Sequence, residues 1–346
     1  RMRTDLATKL WGRTFSGLTC MAFREKGEQA LHRLWSLVLS GHQVERYREG
    51  LKKLGIAGDP PAVAAAKYHY FTNLIGGLSM EYVEESAKKV WIRYTAPMWT
   101  YDGVALLALP AALRRTIFSA WHPQNGRLMG CPRLGYVGTK FIMEGDAYDE
   151  GYFMEYDHDL APSEVMRFET VTRTPEFDPA KAPRLDPIAW PEARVLKARR
   201  NFSGGYVRAT VEMLMGMYGL HATCHIAGLA MRCLAVQYVH AFRSALGIEG
   251  RGAADVAALF AGLLDACGQD FVRERIDDCR HRIVLRSFLP LAPDAPEALR
   301  GAWFAFQDGA ARVVNGRLRV SRRIERVGGA ADHEVWEIED TGRWLH

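Results

Sequence analysis

Three short stretches of this chain recur in the same order at a nearly constant spacing. Lys53-Leu54-Gly55-Ile56-Ala57-Gly58 returns as Ala245-Leu246-Gly247-Ile248-Glu249-Gly250. Ile92-Arg93-Tyr94-Thr95-Ala96-Pro97 returns as Leu285-Arg286-Ser287-Phe288-Leu289-Pro290, and Asn125-Gly126-Arg127-Leu128 as Asn315-Gly316-Arg317-Leu318. The offsets are about 192, 193 and 190 residues. A chain of 346 residues suits two domains at roughly 100–200 residues each. The echoes predict that these are two tandem pseudo-repeats of one fold.

The pattern within each half predicts its class. Apolar residues recur at helical spacing over Asp5–Cys20, Arg24–Leu54 and Ala62–Leu74, the last opening on Pro60-Pro61 and ending at Gly76-Gly77. Ser79–Glu85 and Lys89–Thr95 then alternate with β-branched and aromatic residues, as strands do. A further helix is expected over Gly103–Arg115, a turn at Asn125-Gly126, strands near Leu134–Met143 and Gly151–Asp157, and a short helix from Ala161 to Phe168. Helices followed by antiparallel strands make an α+β fold, each repeat packing its helices on a small antiparallel sheet. Five prolines between Pro175 and Pro191 exclude regular structure there. The expected division is therefore 1–172 for the first repeat, 173–200 for a Pro-rich linker and 201–346 for the second repeat. The halves are expected to pack as a pseudo-symmetric pair, like two subunits of a homodimer.

Composition excludes several classes of partner. The net charge is only +5, and no long basic run is present, so no nucleic acid is expected. No run of about 18 apolar residues free of charge marks a membrane span. Six cysteines without CxxC or regular spacing suit free thiols in a reducing compartment, and a cytoplasmic location is the expectation. There is no Walker motif, GxGxxG, HExxH or GxSxG.

Two clusters are candidates for chemistry. The longest apolar helical pattern, Tyr206 to Gly250, carries His221, Cys224 and His225 at i, i+3 and i+4, which share one helix face. A neighbouring imidazole can make Cys224 a nucleophile. Alternatively the three side chains offer N and S ligands to a transition metal. In the third reading Cys224 is a small core residue and the histidines are bonded at a helix edge. By the repeat offset the cluster falls on Gln29, His32 and Arg33, so one copy has it and the other lacks it. The second candidate is His69 with Asn73, an i, i+4 pair beside Tyr68, in which His69 can serve as a general base. The counterpart of His69 is Ala261. The plainer alternative is a partly exposed aromatic helix face. The acidic stretch Glu144–Asp159 offers paired carboxylates for a hard cation or acid–base work, or reads as a hairpin with one solvated face. Trp121-His122-Pro123 and Arg199-Arg200 are lesser candidates, the arginines for an anionic substrate group.

Gly145-Asp146-Ala147-Tyr148-Asp149-Glu150-Gly151-Tyr152-Phe153 resembles the closing Gly-Asp-x-x-Cys-x-Phe-type strand of the vinyl-reductase-like superfamily, which includes the L-2-aminothiazoline-4-carboxylate hydrolases. The preceding strand pair fits the same order. The Cys position is Asp149 here, and the second copy reads Gly329-Ala330-Ala331-Asp332-His333-Glu334. The resemblance implies a small-molecule pocket and, for the hydrolases, C–N bond cleavage. The expected function is thus a hydrolase acting on a small apolar or aromatic molecule in a pocket between the repeats. Cys224, His225 and His69 would be catalytic, and Tyr68, Asn73, His221, Met217 and Tyr218 would bind substrate. The alternative is a non-catalytic ligand-binding or sensory protein. No cofactor is expected unless the cluster binds a transition metal, and the protein is expected to be a monomer or homodimer.

Overall fold

The computed structural model describes residues 1–101, 105–325 and 333–345, excepting the side chains at positions 42 and 45. Gly103 and the stretch Gly329 to Asp332, both used above, lie outside the described residues. The chain opens with α1 (Met2–Lys26), α2 (Glu28–Lys53) and α3 (Pro61–Ile75), then a hairpin of β1 (Ser79–Ser86) and β2 (Lys89–Thr95). Three short helices follow, α4 (Ala105–Ala108), α5 (Leu113–Trp121) and α6 (Gln124–Met129), and then β3 (Leu134–Lys140), β4 (Tyr148–Glu155) and β5 (Met166–Phe168). The second half runs α7 (Glu192–Ala245), α8 (Ala253–Cys267), β6 (Phe271–Arg275), β7 (Arg280–Leu285), α9 (Glu297–Trp303), α10 (Ala305–Val314), β8 (Leu318–Glu325) and β9 (His333–Asp340). The fold is α+β.

The two halves repeat one order of elements. The first sheet is ordered β1-β2-β4-β3-β5 and the second β6-β7-β9-β8, the same sequence apart from the added β5. A cis X-Pro bond follows each hairpin, at Ala96–Pro97 and Leu289–Pro290. Each sheet is preceded by two long helical runs joined at one glycine. Gly27 has φ 82 and ψ 179, and Gly219, inside α7, has φ 77 and ψ 173. That region of backbone space is open essentially to glycine alone. The bend in the long apolar helix is thus a second copy of the break between α1 and α2.

The chain divides into two compact units, Lys26–Phe202 and Arg1–Glu25 with Ser203–His346. The expected boundaries at 172 and 200 therefore give way to different ones. Helix α1 counts with the second unit because its apolar face packs on α7. Phe15 meets Tyr206 edge-on at 5.6 Å, and Gly204 leaves room for the Trp11 ring. Arg13 caps the arrangement, 4.2 Å above the Tyr238 ring. The Pro-rich stretch belongs to the first unit and is tied down at both ends. Arg93 donates to the Pro175 carbonyl, and Trp190 Nε1 donates to the Lys53 carbonyl at 3.2 Å.

In the Lys26–Phe202 unit, α3 lies on β1, β2 and β4. Pro61 opens this helix where no N–H is needed, and the run Ala62–Ala66, all buried, lets it lie close to the sheet. Val90, Ile92 and Tyr94 of β2 face that layer, all buried. The alternate residue Trp91 packs on Val137 and Tyr152 on the other face, with Val171 of the irregular segment against them. Two local expectations are corrected. Asn125-Gly126 is helical, inside α6, and residues 166–168 form a strand parallel to β3 instead of a helix end.

In the second unit α8 packs on β6, β7 and β9, and α10 on β8. By length and composition α7 is the one helix among the described residues able to cross a membrane, with a window mean hydropathy of 1.2 and 39% of that window buried. Val207, Leu214, Ile226, Ala230, Leu234 and Phe242 are its buried residues of greatest note.

Candidate functional site

His221 and His225 are exposed and Cys224 is half-buried. Burial pushes the Cys224 thiol up, away from the thiolate that nucleophilic chemistry needs. Among the described residues no hydrogen bond joins Cys224 to either histidine. His225 Nε2 instead lies 3.3 Å from the Glu25 carboxylate. Met217 and Tyr218, half-buried, stand just before the Gly219 bend. No group of three or more His, Cys, Asp or Glu among the described residues is arranged to hold a metal ion. Arg199, offered above for an anionic substrate, donates to the Ile75 and Leu74 carbonyls at the end of α3, where a cation is favoured by the helix dipole.

His69 lies in the Lys26–Phe202 unit with no exposure at all, at the centre of a polar network from four elements. Trp121 Nε1 donates to Gln43 Oε1 at 2.7 Å. Gln43 Nε2 donates to Asn125 Oδ1, and Asn125 Nδ2 donates to His69 Nε2 at 2.7 Å. An indole N–H can only donate. That one fact orients both carboxamides and makes His69 Nε2 an acceptor. Burial pushes the His69 pKa down to about 3, so the ring is neutral and its proton resides on Nδ1. This Nδ1 and the Tyr136 hydroxyl are buried without a hydrogen-bond partner.

Stacked rings surround the network. His69 stacks on His122 with centroids 4.5 Å apart, and His122 on Tyr136 at 3.9 Å. The Tyr94 hydroxyl lies 3.1 Å from His122 Nε2. Ring-nitrogen lone pairs lie in the ring planes, so near-parallel rings do not converge on one metal position. Asn73, expected to bind substrate, donates to the His69 carbonyl at 2.7 Å within its own helix. The sequence signals for this network are partial: His69, Trp121 and His122 stand in candidate motifs, but Asn125-Gly126 has the form of a turn pair, and Gln43 and Tyr136 carry no local motif.

Gly151 makes the ring layer possible. A Cβ there would come within 2.4 Å of both Tyr136 Oη and the Val137 carbonyl oxygen. Gly151→Ala is therefore expected to cost about 1–3 kcal/mol or more, measured as a fall in the urea midpoint at unchanged m-value. An unchanged midpoint would mean that Tyr136 can move aside.

Below the network a buried ion pair holds α5 to β4. Arg114 bonds to Asp149 and, at 3.0 Å, to the Tyr101 hydroxyl. Burial opposes the guanidinium charge, but Asp149 and Tyr101 outweigh it and hold the Arg114 pKa above its ordinary value. Asp149 also accepts the Ile142 N–H at 2.9 Å. The second unit has the same device. Arg300 of α9 lies 3.2 Å from Glu334, which faces the last residue of β7 in the ladder much as Asp149 faces the end of β2.

Beside the network the same unit contains a cavity of about 470 Å³. Tyr68, Thr72, Trp121, Trp190 and Phe202 line it, with Arg46, Glu49 and Lys53 also contributing. Two glycines let aromatic rings form its walls: Gly50 allows Tyr68 to lie against α2, and Gly76 allows Phe202 to lie against the end of α3. Tyr68 lines this cavity, and burial pushes its pKa up to about 12, so it is a neutral phenol. In comparison with known proteins, no family model matches the chain, and no curated protein or solved structure matches it either.

Proposed function

We propose that the protein binds a small, mostly aromatic molecule in the cavity of the Lys26–Phe202 unit, as a ligand-binding or sensory protein. The observation that carries this is the cavity wall. A volume of about 470 Å³ framed by Tyr68, Trp121, Trp190 and Phe202 has the size and the apolar, aromatic lining of a small-molecule site. Thr72 and Asn201 supply neutral polar groups, and Arg46 and Lys53 favour a ligand with an acidic group. Hydrolysis of a C–N bond by Cys224, His225 and His69 has less behind it. The thiol is pushed up by burial, and the His69 ring has no exposed surface. Six free cysteines accord with the cytoplasm as the site of action.

The test uses 2-naphthoate as the ligand probe, titrated into the full chain by calorimetry. Saturable binding is expected, and Trp190→Ala should weaken it about 3–10-fold through loss of one aromatic contact. No saturable binding, or equal affinity in Trp190→Ala, would count against the cavity. For the hydrolase alternative, substrate screening with Cys224→Ser and His69→Ala is decisive: turnover that both substitutions abolish in a folded protein would overturn the binding-only conclusion.

A further inference from the structure

We propose a second ligand site, in the other unit, that accepts a small neutral aromatic ring carrying one hydrogen-bond donor, of the phenol or aniline class. The inference starts from the shared ion pair. Arg114 with Asp149 and Arg300 with Glu334 occupy matching places in the two repeats. In the ladders Asp149 faces Tyr94, and Glu334 faces Leu285. Counting from each arginine along its helical run, Trp121 corresponds to Gln307. In the first repeat the rings of Tyr94 and Trp121 pack together with centroids 6.2 Å apart. In the second repeat their places fall to Leu285 and Gln307, neither of which carries a ring.

The space this leaves is a cavity of about 80 Å³, lined by both of those residues. Its other walls are largely aromatic, including Trp11, Phe260, Phe304 and Trp336. A dry cavity of about 150 Å³ holds a benzene molecule, so the smaller volume limits the occupant to a single ring with part of it toward the opening. Its polar atoms define the rest. The Glu334 carboxylate, also in the wall, is already engaged by Arg300, by Arg322 at 2.6 Å and by Trp336 Nε1 at 3.2 Å. Two guanidiniums share that one carboxylate, so a cationic donor finds no free carboxylate there. Gln307 Oε1 is different: it is a buried acceptor without a hydrogen-bond partner. In the first repeat the corresponding Trp121 N–H is satisfied by Gln43. The occupant that completes the second site is therefore uncharged, flat and a donor.

Phenol and toluene, nearly equal in shape, separate the donor from the ring. Each is titrated into the full chain by ligand-observed NMR. Wild type should bind phenol saturably and more tightly than toluene. Gln307→Leu should weaken phenol about 3–10-fold, the worth of one hydrogen bond, and leave toluene within about twofold. Leu285→Tyr, which restores the ring of the first repeat, should remove binding of both. Absence of saturable phenol binding by wild type, or equal phenol affinity in Gln307→Leu, overturns the site. If Leu285→Tyr fails to fold, the Gln307→Leu comparison decides alone. Phenol binding that Trp190→Ala weakens and Gln307→Leu leaves unchanged would assign phenol to the naphthoate cavity and overturn the second site.

Discussion

Between pH 6.5 and about 4.5 the Lys26–Phe202 unit should lose stability by roughly 1.4 kcal/mol per pH unit for each of two histidines, His69 and His122. Both are fully buried in the ring stack. Burial pushes His69 down to about 3. It also pushes His122 well below the ordinary histidine value, with the neighbouring His69 adding to the shift. The unfolded chain takes up protons near pH 6.5, while the folded stack refuses them. Stability from this source is therefore fully present above pH 6.5 and is lost as the pH falls toward the folded value. For His69 alone the whole window is worth on the order of 4–5 kcal/mol, comparable to the net stability of many domains. The measurement is the urea midpoint as a function of pH, above the range where carboxylates dominate. His69→Gln keeps an acceptor for Asn125 and should reduce the slope by about one proton. A profile that is flat for wild type, or identical in the variant, would show that the folded stack takes up the proton.

Asp149→Ala should destabilise the same unit by about 3–5 kcal/mol, because it leaves the Arg114 guanidinium buried and unpaired. Arg114 and Asp149 have side-chain exposures of 7% and 0%, so water cannot replace the lost partner. The Ile142 N–H would also lose its acceptor. Replacing both partners, Arg114→Met with Asp149→Leu, should recover most of that loss, since a packed apolar pair carries no desolvation cost. Denaturant unfolding of the two single variants and the double variant gives the coupling directly. A loss under about 1 kcal/mol for Asp149→Ala would mean that the pair is hydrated and belongs with surface ion pairs.

The sequence carried the elements whose signals are local. Pro60-Pro61 and Gly76-Gly77 bracket α3 within a residue, and the alternating strands of the first hairpin lie where the period changes. The repeat was legible because two of its echoes sit at helix ends and hairpin ends, where backbone geometry restricts the residue; the third, at Asn125 and Asn315, joins a helix interior to a helix end. Asn125-Gly126 misled for a physical reason. Gly126 is needed for space, with the Cys131 and Leu134 carbonyl oxygens 2.9 Å from where a Cβ would be, and Asn125 is engaged by Gln43 and His69. Neither role is that of a turn. His69 stood out as a polar residue present in one repeat only. Trp121 and His122 stood out only as a separate motif, and Gln43 and Asn125 as no site at all, because they reach it from distant parts of the chain. For His221, Cys224 and His225 the helical spacing was legible, but spacing does not report exposure.

The exchange of α1 bears on the order in which this protein is made. Residues 26–202 form one compact unit from a continuous stretch of chain, so that unit can complete itself as soon as its last residues emerge. Helix α1 is synthesised before that unit, yet the Tyr206 ring that covers Phe15 is about 190 residues behind it. At roughly 5–20 residues per second, synthesis leaves the apolar face of α1 uncovered for about 10–40 seconds. During that interval Trp11 and Phe15 are the ribosome-bound chain's exposed liability, and a chaperone that shields the first 25 residues would protect the rest.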